Sequence, residues 1–131
     1  MARILLTEDD ESVRAFVKRA LELDGHDVTA AEDGGMALEI LQERRADFDL
    51  LLSDIMMPVM DGIALALATA RDWPDLTILL MTGFADQRER AHGLDALVHD
   101  VIPKPFTLSE IRRAVASALA ATDETSMLRS A

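Results

Sequence analysis

The sequence contains no cysteine and no tyrosine. Without thiols there is no disulfide framework, no thiolate zinc site and no cysteine nucleophile. Aromatic residues make up only 4% of the chain, so its core has to be aliphatic. Basic residues are also scarce, with 13 Lys and Arg against 24 Asp and Glu, a formal net charge of −11. That balance argues against nonspecific nucleic-acid binding, which depends on cationic neutralisation of phosphates. It is equally unsuited to an anionic membrane surface. No run of about 18 apolar residues exists to cross a bilayer. The opening Met-Ala-Arg and the short apolar run after it lack a signal-peptide core. The expectation is a soluble, cytoplasmic chain that contacts neither DNA nor membrane.

What is present is ordinary globular composition, half apolar and 28% charged over 131 residues. A domain of this length buries roughly 65–70% of the surface its unfolded chain exposes, enough to fold without a staple. One domain is expected over residues 1–121. From Thr122 the sequence turns small and polar, which reads as a flexible tail over 122–131.

Five short apolar runs alternate with stretches of helical period. The runs are Ile4-Leu5-Leu6, Val28 to Ala31, Leu50-Leu51-Leu52, Thr77 to Met81 and Ala96 to Ile102. Between the first two, Val13, Phe16, Val17, Ala20 and Leu21 recur at spacings of three and four, and Asp24-Gly25 ends that helix. Further helices are predicted around Ala37 to Leu41, Ile63 to Ala70 and residues 86 to 93. The last helix follows Thr107, which stands three residues before Glu110 at capping-box spacing. Continuous apolar strands separated by helices imply a parallel sheet covered on both faces. The expected fold is α/β and doubly wound, flavodoxin-like, with five parallel strands in the order 2-1-3-4-5 and five helices. In such sheets chemistry gathers at the carboxyl ends of the strands, where strand order reverses.

Those ends carry complementary groups. Strand one ends in Glu8-Asp9-Asp10-Glu11, strand three in Ser53-Asp54, strand four in Thr82-Gly83 and strand five in Pro103-Lys104-Pro105. Strands one and three are neighbours in the proposed order, so Asp9 and Asp54 should converge. Two carboxylates about 4 Å apart repel by about 4 kcal/mol at an effective dielectric near 20. Such a cluster needs a proton or a cation. Hard oxygen donors without His or Cys suit Mg²⁺. Lys104 and the Thr82 hydroxyl would face a phosphoryl group from the far side, a set fit for phosphoryl transfer to Asp54. Taken singly, an Asp after a strand is usually a turn or helix cap, and acidic residues opening a helix answer to its dipole. The conjunction at four strand ends carries the functional reading.

These residues also resemble a known family. The E-D-D after strand one, L-L-S-D-I-M-M-P-V-M-D-G around Asp54, M-T-G at Thr82 and P-K-P-F at Lys104 are similar to the receiver domain of two-component response regulators. The resemblance covers residues 2 to about 121. It implies that Asp54 is the phosphoaccepting aspartate and that Mg²⁺ is the cofactor. It implies Asp9 as direct metal ligand, with Arg14 five positions later as in many receivers, and Glu8 as its acidic partner through water. Asp10 is the competing register. Met56 would offer its backbone carbonyl, Thr82 would be the switch hydroxyl, and Lys104, before a cis proline, would pair with the phosphoryl group. Receivers often carry Tyr or Phe three residues before the lysine; here that switch position is Val101. His99 is a candidate substitute.

The resemblance further implies a histidine kinase or histidine phosphotransferase as donor and a protein partner for output. It also implies a phosphorylation-dependent homodimer through the face of the fourth helix, fifth strand and fifth helix. The stretch G-L-D-A-L-V-H-D-V-I-P-K-P-F at 93 to 106, Val101 and the opening M-A-R-I-L-L are similar to CpdR-type stand-alone receivers of alphaproteobacteria. Those are phosphorylation-controlled adaptors for the protease ClpXP, which acts through its ClpX component. Two alternatives have other chemistry. One is a phosphate-independent adaptor with this fold. The other is an Asp-nucleophile phosphatase, which wants a general acid two residues after the nucleophile, where this sequence has Met56. The expectation is therefore a switch with weak self-catalysed phosphorylation and dephosphorylation, not an enzyme.

Overall fold

The computed structural model describes residues 2–44, 47–83, 93–94 and 97–130, with side chains as far as residue 121. Five strands form one sheet: β1 (Arg3–Thr7), β2 (Asp27–Ala31), β3 (Leu50–Asp54), β4 (Thr77–Thr82) and β5 (Asp100–Pro103). Their order is β2-β1-β3-β4-β5, and every pairing is parallel. Among the described residues there are four helices: α1 (Glu11–Leu23), α2 (Gly34–Glu43), α3 (Gly62–Asp72) and α4 (Leu108–Ser130). The sequence predicted five; the short helix expected at 86 to 93 falls almost wholly outside the described residues.

The period of two in the strands divides the core into two layers. Ile4, Leu6, Leu50, Leu52, Leu79 and Met81 pack against Val17, Leu21, Ile111 and Val115 of α1 and α4. Leu5, Leu51, Ile78 and Leu80 face the other way, against Ala37, Leu41 and Leu65 of α2 and α3. Every residue of β3 is buried, which places the Asp54 end of that strand at the centre of the sheet. Each buried Leu or Ile contributes about 1.5–3 kcal/mol relative to exposure.

Aspartates start three of the four helices. Asp10, Asp33 and Asp61 are the N-caps of α1, α2 and α3, their carboxylates accepting from backbone N–H groups one turn on. At α4 the capping box forms as expected: Glu110 N donates to Thr107 Oγ1 at 3.1 Å, and Thr107 N donates to Glu110 Oε1 at 3.0 Å. Helix α4 does not stop at 121, where the small polar residues were expected to fray, but continues to Ser130. No Gly or Pro follows Pro105, so nothing in that stretch breaks a helix. Strand β5 starts later than predicted. Leu97 N and Val98 N both donate to Leu94 O in a turn, so β5 pairs with β4 only from Asp100.

Two glycines fix the loop between β3 and α3. A Cβ on Gly62 would lie 2.1 Å from the Asp54 carbonyl oxygen, and one on Gly34 would lie 2.1 Å from that of Met60. Neither position accepts a side chain, because the atom met is backbone. The loop bends at Val59, which has φ 70°, a region β-branched residues avoid. Met60 N closes this three-residue turn on Pro58 O at 2.8 Å.

Candidate phosphoacceptor site

The carboxyl ends of β1, β3 and β5 meet over a cavity of about 340 Å³. Glu8, Asp9, Asp10 and Val13 line it from the β1 side, Asp54 and Met56 from β3, and Gly83 and Lys104 from β4 and β5. Glu8, Asp9 and Asp54 each bring one carboxylate oxygen within 4.8 Å of the other two. Glu8 and Asp54 are buried, while Asp9 is exposed at the mouth.

Lys104 enters from the opposite wall. Its Nζ lies 2.8 Å from Glu8 Oε1 and 3.1 Å from Asp54 Oδ1. The Lys104–Pro105 peptide bond is cis, as the resemblance implied. Burial alone would lower the lysine, but Glu8 and Asp54 raise its pKa above the ordinary value. Burial pushes the Glu8 carboxyl up to about 7, with the neighbouring Asp54 adding to the rise and Lys104 opposing it. One ammonium faces three carboxylates, so the site carries surplus negative charge whenever all three ionise.

The buried Glu8 Oε2 has no hydrogen-bond partner. An orphaned buried acceptor costs about 1–3 kcal/mol unless a proton or a cation satisfies it. The donors are all hard oxygens, as Mg²⁺ requires, and an exposed third carboxylate leaves the mouth open to the waters that ion keeps. The residues present therefore fit a Mg²⁺ ion.

Of the positions singled out from the sequence, Glu8, Asp9, Asp54 and Lys104 come together. Thr82 is buried at the end of β4, in register with Pro103 of β5. Met56 lines the cavity, with its residue 57% exposed. Asp10 borders the cavity too, but its Oδ1 accepts from Ser12 N at 2.8 Å and Val13 N at 3.2 Å, which makes it a helix cap. The signal was available, since an Asp just before a periodic run is an N-cap pattern. Val101 lies within β5, half-buried against the α2 and α3 layer. His99 is exposed, with Nε2 3.3 Å from Ser117 Oγ and its main-chain N–H on Ile78 O, one strand over. One contact was missed: Arg14 Nη1 donates to the Glu8 carbonyl oxygen at 2.9 Å.

Residues 4–116 match the family described as the response regulator receiver domain. The chain belongs to that family. Among curated proteins it is 39% identical over 109 residues to the response regulator MprA of Mycobacterium sp. (strain KMS). That match covers 83% of this chain and 46% of the mycobacterial protein, so the receiver spans about half the length of the relatives it matches. Among solved structures, the CheY-like receiver domain protein from Methanospirillum hungatei JF-1 superposes with a TM-score of 0.86 at 26% identity, covering 95% of this chain and 98% of that one. The non-phosphorylated HemR receiver domain from Leptospira biflexa gives a TM-score of 0.81 at 33% identity, covering 91% and 94%. A receiver is a phosphoacceptor switch of two-component signalling and generally not a classical enzyme. Receivers bind Mg²⁺ at an acidic pocket, and Glu8, Asp9 and Asp54 form an acidic cluster in this one.

Proposed function

We propose that this receiver takes a phosphoryl group on Asp54 in a Mg²⁺-dependent reaction and passes the signal to a partner protein. The observation that carries the reading is the convergence of three carboxylates with the Lys104 ammonium 3.1 Å from Asp54 Oδ1. A carboxylate oxygen of Asp54 attacks the phosphorus of a phosphohistidine on a kinase or phosphotransferase. The new O–P bond forms as the N–P bond breaks, and the imidazole leaves with the electron pair. Asp9, the Asp54 carboxylate and the Met56 carbonyl, with Glu8 acting through water, would hold Mg²⁺, which would neutralise charge on the phosphoryl oxygens. Lys104 would exchange its contact with Asp54 for one with a phosphoryl oxygen. Thr82, at the adjacent strand end, is the hydroxyl that would follow the phosphoryl group.

Val101 is aliphatic, so the coupling of that hydroxyl to an aromatic ring has no ring to act on here. The output surface therefore changes by another route. The likeness to CpdR-type receivers supports one kind of output, an adaptor that binds ClpX in a phosphorylation-dependent manner. Pull-down with ClpX and sizing of the phosphorylated protein for a homodimer test these finer points. The core reading is tested by intact-mass spectrometry after incubation with a small acyl-phosphate donor. A single phosphoryl adduct that requires Mg²⁺ and is absent from Asp54→Asn is expected. An adduct retained in that variant moves the acceptor elsewhere.

A further inference from the structure

Glu8 and Asp9 supply two of the three clustered carboxylates, yet neither lies on a helix or a strand: β1 ends at Thr7 and α1 begins at Glu11. Connecting segments are the mobile parts of most folds, whereas a small divalent cation demands fixed ligand positions. Among the described residues, three hydrogen bonds hold main-chain groups of this segment. Glu8 N donates to Ala31 O of β2 at 3.1 Å, Arg14 N donates to Asp10 O at 2.9 Å, and Arg14 Nη1 donates to Glu8 O at 2.9 Å. Arg14 therefore ends on the carbonyls at both sides of Asp9. Its backbone bond is one that any residue at that helical position makes. Its side-chain bond, half-buried and reaching back six residues, needs a long donor.

We propose that Arg14 is a positioning residue of the acidic pocket: by holding the Glu8 carbonyl it fixes the peptide from which the Glu8 and Asp9 carboxylates project, and so sets the pocket for a divalent cation. This inference rests on the reading of the pocket as a Mg²⁺ site. The effect has a diagnostic sign. A guanidinium near the pocket repels a second cation, so if its charge were what mattered, removing it would tighten Mg²⁺ binding. A positioning role makes removal weaken binding.

The test is Mg²⁺ titration calorimetry on the full chain, as wild type, Arg14→Ala and Arg14→Met, beside thermal unfolding in chelator. Methionine keeps an unbranched, helix-compatible stem at this position of α1 and loses only the donor and the charge. Both variants are expected to show a Mg²⁺ dissociation constant raised about tenfold, the low end for groups that orient metal ligands, with an unchanged unfolding midpoint. Unchanged or tighter binding in both overturns the proposal. So does weakening that is matched by a fall in the unfolding midpoint of both variants, which assigns Arg14 to the fold alone. No Mg²⁺ binding by wild type overturns the reading of the pocket itself, a failure distinct from that of Arg14.

Discussion

Asp10 follows Asp9 in the chain and does different work. Its Oδ1 is committed to two N–H groups at the start of α1, whereas the clustered oxygens belong to Glu8, Asp9 and Asp54. Asp10→Ala is expected to cost about 1 kcal/mol in urea denaturation, the usual value of an N-cap, and to leave Mg²⁺ affinity nearly unchanged in calorimetry. A large loss of affinity without loss of stability would make Asp10 a ligand after all. Glu8 gives a second prediction, through pH. Its carboxyl titrates near 4.5 in the unfolded chain and near 7 in the fold, chiefly because it is buried. The folded state then holds the proton more tightly than the unfolded state does. Its contribution is most favourable below the lower value, declines as pH rises from 4.5 to about 7, and stays low above that. The decline amounts to at most about 3 kcal/mol. In chelator, Glu8→Gln should lose this part of the pH dependence, read as unfolding midpoint against pH. An identical slope in wild type and variant contradicts it. Of these residues, the types, the strand ends and the N-cap pattern at Asp10 were legible in the sequence. That Glu8 is sealed from solvent and that Arg14 reaches back to Glu8 O are matters of side-chain direction, which no spacing rule supplies.

The loop between β3 and α3 shows what placing Asp54 demands of the chain. Gly62 lets the start of α3 press on the Asp54 carbonyl, and Gly62 N donates to Ile55 O at 2.7 Å. Gly34 gives the same closeness between α2 and Met60. The turn that accommodates both contacts is centred on Val59, whose φ of 70° strains a β-branched residue while its side chain, 85% exposed, gains little by burial. Relief of such strain is worth about 1–3 kcal/mol, against about 0.5–1 kcal/mol for the extra freedom of glycine in the unfolded chain. Val59→Gly is therefore expected to raise stability by about 1 kcal/mol in denaturant titration, with the site intact. A loss of stability would mean that Val59 makes contacts that outweigh its strain. The Asp-Gly pair at 61 and 62 was visible in the sequence as part of the family pattern; the strained turn before it was not. Helix α4 erred the other way. Its capping box marked the start to the residue, but its end was misjudged, because small polar residues lower helix propensity without ending a helix as Gly or Pro does.

The sheet order ties these parts into one site. Placing β1 and β3 side by side brings Glu8 and Asp9 to Asp54, and placing β5 beyond β4 brings Lys104 across to them. That much followed from alternating apolar runs and the rule that parallel sheets act at their carboxyl ends. What the pattern did not contain was the start of β5, which comes after Leu97 N and Val98 N have bonded to Leu94 O. Two layers of core hold this arrangement, and α1 is clasped to α4 across one of them by Asp24 and Arg112, whose guanidinium holds the Asp24 carboxyl below its ordinary range. A net charge of −11 suits association with a basic partner, steered by long-range attraction. The proposed role on which signalling by this receiver depends is that of Asp54 as acceptor. Its most direct test is to phosphorylate the protein with an acyl-phosphate donor and Mg²⁺, reduce the acyl phosphate with borohydride, and map the product by peptide mass spectrometry. Homoserine at position 54 and nowhere else is the predicted result; homoserine at Asp9 or Asp10, or none at all from protein that has bound Mg²⁺, contradicts it.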